Sequence, residues 1–315
     1  MTLDFVGARV LVTGGTGFIG RQLCSALAKS SARILAISRR NRPPQLSPSL
    51  FRSVDLLDSD AVQAAVRQFA PTHVVHLAAL KLDGGLLDNL RPSYDANLLS
   101  TLNLAVAVIA TGGCHRFVYL SSAEEYGRAT VPFDARSREV PLTAYGLSKL
   151  AATQLLQALS VMHDLPIAVL RATSVYGPGQ SPRMFVPSLL HALMNGTEFP
   201  MTSGNQTRDF IYVGDVVDGI LRALAMPDRH DGALHLSAGA PVTVREVALL
   251  VARLIGGASE ALVKFGAVPY RDGEAMDYWA SNTEAKVVLG WSPRVSLEEG
   301  IRLSIEHLRS TIATK

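Results

Sequence analysis

Cysteine is nearly absent from this 315-residue chain, which has only Cys24 and Cys114. One falls in a helical stretch and the other ahead of an apolar strand, so two reduced, packing thiols are expected rather than a disulfide framework. Charge of one sign is also lacking. Thirty Lys and Arg against 27 Asp and Glu leave a net charge of +3, and the basic residues form no long block, which argues against a nucleic-acid partner. No apolar run approaches the roughly 18 residues of a membrane span, so no membrane association is expected. No charged leader with an apolar core precedes Arg9-Val10-Leu11-Val12-Thr13, and a cytoplasmic protein is expected. Tandem repeats and low-complexity tracts are missing as well. What remains is 48% hydrophobic and 18% charged, an ordinary globular composition. The length suits one large α/β domain or a nucleotide domain with a smaller satellite.

Short apolar runs rich in β-branched residues alternate with longer helical patterns, the signature of repeated βαβ units and a parallel sheet. Strands are expected near 9–13, 33–38, 52–55, 73–77, 117–121 and 167–171, and helices over 21–30, 61–69, 96–111 and 145–163. After Tyr176-Gly177-Pro178-Gly179 the rhythm changes to loops and shorter elements, with helices over 182–195, 213–225, 243–255 and 297–308. Thr243 with Glu246, and Ser296 with Glu299, have the capping-box spacing for two of these. The pattern predicts a Rossmann-type α/β fold with a doubly wound parallel sheet. Residues 1–177 would form the dinucleotide domain with the reacting residues, and residues 178–315 mainly a smaller α/β substrate-binding lobe, with the chain free to cross between them.

Gly14, Gly17 and Gly20 follow one such strand and open a helix. Glycine lets backbone approach a pyrophosphate closely, and the helix N-terminus offers oriented N–H groups to the anion. Gly14, Thr16, Gly17, Phe18, Ile19 and Gly20 therefore read as a dinucleotide cradle. At the end of the second strand, where a carboxylate would hold the ribose hydroxyls, stand Ser38, Arg39 and Arg40. A hydroxyl and two guanidiniums suit a 2′-phosphate, so NADP(H) is favoured and NAD(H) stays open; the plainer alternative is a solvated loop. Asp55 and Leu56 could meet the adenine edge, and Leu77, Ala78 and Ala79 could line the middle of the cofactor. His73 and His76 are three apart on a strand and point to opposite faces, so no metal site is expected; His76 reads as a packed strand-end histidine.

Tyr145 and Lys149 are four apart on a helix and share a face. Free tyrosine has a pKa near 10 and is a poor base at neutral pH. A lysine charge about 5 Å away, at an effective dielectric of about 20, contributes on the order of 3 kcal/mol, or roughly two pKa units. On that reading Tyr145 becomes useful when Lys149 is charged and close. Ser122, at the end of the fifth strand, could hydrogen-bond the reacting oxygen. A single Tyr-x-x-x-Lys is commonly an ordinary helix surface, but joined to the glycine loop and Ser122 it points to redox chemistry beside a dinucleotide.

The motifs at 13–20, 120–127, 145–149, 175–180, 208–216 and 289–293 together resemble those of the extended short-chain dehydrogenase/reductases. These are NAD(P)-dependent nucleotide-sugar epimerases, dehydratases and reductases, and the resemblance covers nearly the whole chain. It implies a catalytic Ser122, Tyr145 and Lys149, with Lys149 also holding the nicotinamide ribose. It implies a nucleotide-diphosphate sugar as substrate and a homodimer through helices such as 96–111 and 145–163. Arg208 and Arg271 would face the substrate diphosphate, Lys81 and Ser174 would join the substrate contacts, and Asn97 would serve a structural or proton-relay role. Ser174 stands where family members commonly carry asparagine, which bears on how the diphosphate is held.

In the family's dehydratases an acid pair follows the catalytic hydroxyl residue; here Ala123 takes the first position and Glu124 keeps the second. Dehydratase chemistry is weakened accordingly, and Glu124 and Glu125 could equally be solvated carboxylates. The run from Ser122 to Gly127 looks most like the GDP-4-keto-6-deoxy-mannose reductases, and NADPH consumption fits Ser38, Arg39 and Arg40. NADPH-dependent reduction of a nucleotide-activated 4-keto-6-deoxyhexose is therefore the leading expectation, with a nucleotide-sugar 4-epimerase as the alternative and a dehydratase behind it. A dinucleotide sensor without chemistry is disfavoured because Tyr145 and Lys149 both stand.

Overall fold

The computed structural model describes residues 5–39, 50–271 and 273–313. The first half runs β1 (Arg9–Thr13), α1 (Phe18–Leu27), β2 (Arg33–Ser38), β3 (Phe51–Ser53), α2 (Ser59–Phe69), β4 (His73–His76), α3 (Leu86–Ser93), α4 (Ser100–Thr111), β5 (Arg116–Ser122), α5 (Ala144–His163) and β6 (Ile167–Ala172). A π-helical turn (Tyr94–Leu99) joins α3 to α4, and a 310 turn (Ala123–Glu125) follows β5. The second half runs β7 (Ser174–Tyr176), α6 (Phe185–Met194), β8 (Phe199–Met201), β9 (Thr207–Arg208), β10 (Phe210–Tyr212), α7 (Val213–Leu224), β11 (Ala233–Leu236), β12 (Val242–Thr243), α8 (Val244–Ile255), α9 (Ser259–Leu262), β13 (Val263–Phe265), α10 (Thr283–Leu289) and α11 (Leu297–Ala313).

The central sheet has the order β11-β6-β5-β4-β1-β2-β3, with every pair parallel. Its strands are apolar on both faces, as in Val10, Leu11 and Val12, because helices cover both. Helices α1, α7 and α10 pack on one face and α2, α4 and α5 on the other. The strand order reverses between β1 and β4, so the C-terminal strand ends there open the crevice where such sheets take ligands. A separate core joins α6, α8 and α11 with β8 and β13 beyond that crevice.

Two elements differ from the sequence-based expectation. The helix expected over 96–111 is preceded by α3 and a π-helical turn; Pro92 sits inside α3 and lacks the N–H that would keep the α-helical ladder regular. The third strand falls at Phe51–Ser53, because Asp58 caps α2 by accepting from the Ala61 amide and the chain turns before it. Beyond residue 177 the chain contributes to both cores. Helix α7, assigned to the substrate lobe, packs on the central sheet through Val216, Val217 and Ile220, and β11 pairs with β6 as the edge strand. The chain thus returns to the sheet before completing the second core.

Candidate active site

The glycine loop builds one wall of the crevice from backbone. Gly14 has φ +66° and its absent Cβ would lie 2.9 Å from the Ala78 amide nitrogen; a Cβ on Gly20 would lie 2.2 Å from the Gly14 carbonyl oxygen. The Thr13 hydroxyl accepts from the amides of Leu77 and Ala78, 3.1 Å each, and meets His76 Nδ1 at 2.6 Å, so β1 and β4 end in register. His76 is fully buried, its Nε2 is 2.9 Å from the Thr101 hydroxyl, and burial pushes it down to about 3, which fits a packed histidine. No metal-holding cluster of His, Cys, Asp or Glu occurs among the described residues.

A cavity of about 670 Å³ runs along this wall. Gly14, Thr16, Gly17, Phe18, Ile19, Gly20, Ser38, Arg39, Asp55, Leu56, Leu77, Ala78 and Ala79 line it, so the sequence-based cofactor set is brought together. Arg40 lies outside the described residues, and Lys149 stands apart from the lining. Thr16 donates to Ser38 at 2.8 Å, and Arg39 approaches Asp55 at 4.0 Å, so Asp55 serves Arg39 as well as the cavity wall. Gly179, Gln180, Ser181 and Pro182 form the opposite rim, held to α1 by Arg21 (2.9 Å to the Gly179 carbonyl) and Gln22 (3.2 Å to the Pro178 carbonyl). The elongated cavity, the glycine wall and the N-terminus of α1 fit a dinucleotide.

Ser122 ends β5, and its hydroxyl accepts from the Glu124 amide at 3.1 Å, fixing the 310 turn. Thr143 caps α5 by accepting from Gly146 at 2.9 Å and donates to Glu124 Oε2 at 3.1 Å. A Cβ on Gly146 would lie 2.5 Å from the Glu124 carbonyl oxygen, so glycine after Tyr145 lets α5 press against the turn. That contact sets the first turn of α5, which carries Tyr145, against the turn that follows Ser122. Lys81 forms an ion pair with Glu124 and stands 5.4 Å from the centre of the Tyr145 ring. Asn97, carried by the π-helical turn, donates to the Leu80 carbonyl and to Ser148 on α5, 2.9 Å each, and accepts from the Leu80 amide at 2.7 Å.

Lys149 corrects the electrostatic expectation. Its ammonium donates to the Leu120 carbonyl at 2.7 Å and lies 4.1 Å from the centre of the Tyr119 ring. Burial pushes it down to about 7, with Glu125 opposing. Tyr145 is not acidified: burial raises it above its ordinary value, the Glu124 and Glu125 charges raise it further, and hydrogen bonding with Ser122 opposes them. Desolvation of the phenolate outweighs a lysine charge directed at a carbonyl.

The expected substrate contacts come from several elements. Arg208 is tied to Glu274 by an ion pair and to the carbonyls of Thr207 and Ala275 at 2.7 and 2.8 Å; Arg271 is exposed, and Ser174 is half-buried at the start of β7. Glu125 is not solvated: it is fully buried against Arg171. Sequence reasoning missed Tyr278, a phenol raised by burial and by the Glu124 charge, whose ring lies 5.9 Å from the Arg208 guanidinium. No local signal marks it, since it reaches the site only because the Phe133 amide donates to the Trp279 carbonyl and the Ser281 amide to the Phe133 carbonyl.

The sequence model of the NAD dependent epimerase/dehydratase family matches residues 10–239. The dTDP-L-rhamnose 4-epimerase of Burkholderia thailandensis is 29% identical over 94% of this chain and 93% of its own length. Epimerase Mth375 of Methanothermobacter thermautotrophicus has a TM-score of 0.89 at 27% identity, covering 98% of this chain and 94% of that one. MoeE5, solved with UDP-glucose and NAD, has a TM-score of 0.85 at 32% identity, covering 96% and 99%. With the parallel sheet, the glycine wall and the match over most of its length, this chain is an enzyme of the NAD dependent epimerase/dehydratase family.

Proposed function

We propose that this enzyme is a nucleotide-sugar 4-epimerase. The observation that carries the reading is that the turn after Ser122 presses on the first turn of α5, which carries Tyr145, with Lys149 one turn along the same face and Lys81, next to the cavity-lining Leu80, over the Tyr145 ring. The kinship with epimerases, and with a protein that was solved holding UDP-glucose, supports a nucleoside-diphosphate sugar as substrate.

The residues from Gly14 to Gly20 would hold the dinucleotide pyrophosphate, Ser38 and Arg39 its adenosine ribose, and Lys149 its nicotinamide ribose. A nicotinamide held there would supply reversible hydride exchange with C4 of the sugar. Tyr145 takes the C4 hydroxyl proton on oxidation and gives it back on reduction, so protons balance across the cycle. Raised by burial, Tyr145 takes that proton only as the minority phenolate and, once protonated, is in the form that donates it back. Ser122 hydrogen-bonds the same sugar oxygen. Arg208 and Arg271 would meet the diphosphate, which competes with Glu274 for Arg208. Exposed apolar side chains on α4 and α5, including Val106, Val161 and Met162, support a homodimer through those helices.

Ser38 and Arg39 favour a second reading, NADPH-dependent reduction of a 4-keto sugar, because no carboxylate on β2 opposes a 2′-phosphate. Purified enzyme supplied with UDP-glucose or dTDP-L-rhamnose should yield the C4 epimer with no net change in nicotinamide absorbance. Stoichiometric NADPH oxidation with a 4-keto sugar would favour the second reading, and neither outcome would sink both.

A further inference from the structure

The 310 turn after β5 sends its two carboxylates in opposite directions. Glu124 faces Lys81 and Thr143, whereas Glu125 is fully buried. Glu125 accepts from the Ser121 hydroxyl, from Thr153 at 2.7 Å, and from Arg171 Nε at 2.7 Å and Nη2 at 2.5 Å. Those partners belong to β5, α5 and β6. Thr153 lies four residues beyond Lys149 and eight beyond Tyr145, so the three share one stripe along α5. Ser121 precedes Ser122 and is paired in register with Arg171. A single carboxylate therefore ties the strand end carrying Ser122 to the helix face carrying Tyr145 and Lys149.

The charges around it do not cancel pair by pair. Arg171 is shared between Glu125 and Glu139, the latter at 2.7 Å, and lies 4.6 Å from the Tyr126 ring. Lys149 is 1% exposed and has no carboxylate in contact among the described residues. Two carboxylates thus share Arg171, which neutralises only one of them, and Lys149 is a second buried cation without a direct partner charge. The other groups facing Lys149 offer no compensation: His76 is neutral, and Tyr119 is held protonated by burial. His235, 2.7 Å from the Tyr126 hydroxyl, is neutral as well.

We propose that Glu125 is a positioning residue of the active site. Through Ser121, Thr153 and Arg171 it holds the end of β5 against the Tyr145–Lys149 face of α5, and its charge, left in excess because Glu139 shares Arg171, opposes the burial that pushes Lys149 down. The inference rests on the reading of Ser122, Tyr145 and Lys149 as the reacting set.

The test is the pH dependence of dinucleotide affinity and of kcat in wild type, Glu125→Gln and Glu139→Gln. Glutamine keeps the shape and an acceptor but removes the charge. The alkaline limb set by Lys149 should move down by about one pH unit in Glu125→Gln and by less in Glu139→Gln. At about pH 8 the kcat of Glu125→Gln should fall about tenfold, with KM for the sugar within about twofold. A folded Glu125→Gln enzyme with a lowered Tm but an unmoved limb would show a purely structural residue and overturn the inference. If that variant does not fold, the half-buried Glu139→Gln carries the test, and an unmoved limb there overturns it too. Wild type that binds no dinucleotide at any pH would bring down the site reading itself, an outcome distinct from coincident limbs in enzymes that bind.

Discussion

Around the glycine loop the crevice wall is main chain and small side chains, whereas around Tyr145 it is a cluster of buried titratable groups drawn from β5, α5, β6 and the segment bearing Tyr278. The first region works by close approach: Gly14 and Gly20 leave no room for a Cβ, and the Thr13 hydroxyl latches neighbouring strand ends. The second works by burial, which drives Lys149 down and Tyr145 up. Shape without charge makes a binding surface that tolerates changes of pH. Charge without solvent makes reactivity that depends on every neighbour.

The comparison can be broken from either side. The largest effect is expected from Tyr145→Phe, which removes the proton carrier and should cut kcat about a thousandfold while dinucleotide affinity stays within about twofold. Steady-state turnover set beside a fluorescence titration reads both, and unimpaired turnover would dismiss Tyr145. Next comes Gly20→Ala, whose Cβ would meet the Gly14 carbonyl oxygen at 2.2 Å. Backbone cannot yield as a side chain does, so about 3 kcal/mol of strain is expected, with dinucleotide affinity down about a hundredfold. Undiminished binding in that variant would deny the glycine wall its role.

Acid sensitivity should reside in the region of buried charge. His235 is pushed down to about 4 by burial and by Arg171, so it stays neutral in the fold, whereas in the unfolded chain it takes a proton below about pH 6.5. The unfolded state binds more protons between those values, and stability therefore falls as pH drops through that window. From pH 6.5 to 5 the loss is about 2 kcal/mol, and His235→Phe should remove that much of the difference between denaturant unfolding curves at the two pH values. An unchanged difference would mean that His235 titrates normally in the fold. The smallest effect is that of Arg39→Ala, expected to weaken NADPH about tenfold, or about 1.4 kcal/mol, and NADH by less than about twofold. Equal loss with both would reduce Arg39 to a partner of Asp55.

Legibility in the sequence followed locality. β1, β2 and the capping box of Thr243 and Glu246 lie where pattern and spacing put them, because each is decided by residues a few positions apart. The glycine loop was legible for the same reason. Glu125 was not: next to Glu124 it looks like a second solvated acid, and only Arg171, 46 residues on, explains its burial. Tyr278 was invisible for want of any neighbouring motif. Where the chain crosses between the lobes was not legible, because Tyr176-Gly177-Pro178 marks only a change of rhythm, while β11 is bound by its ladder to β6.

The sequence by itself determined the parallel sheet, the glycine wall and the placing of Ser122 at a strand end and of Tyr145 and Lys149 on one helix face, since strand periodicity, tight turns and helix faces depend on short-range sterics. Only the tertiary structure decided that the ammonium of Lys149 is directed at the Leu120 carbonyl, that Tyr145 is made less acidic rather than more, and that Glu125 stands beneath both. Those outcomes depend on how much water each group loses and on which distant charges it then faces, and neither quantity exists until the chain has packed.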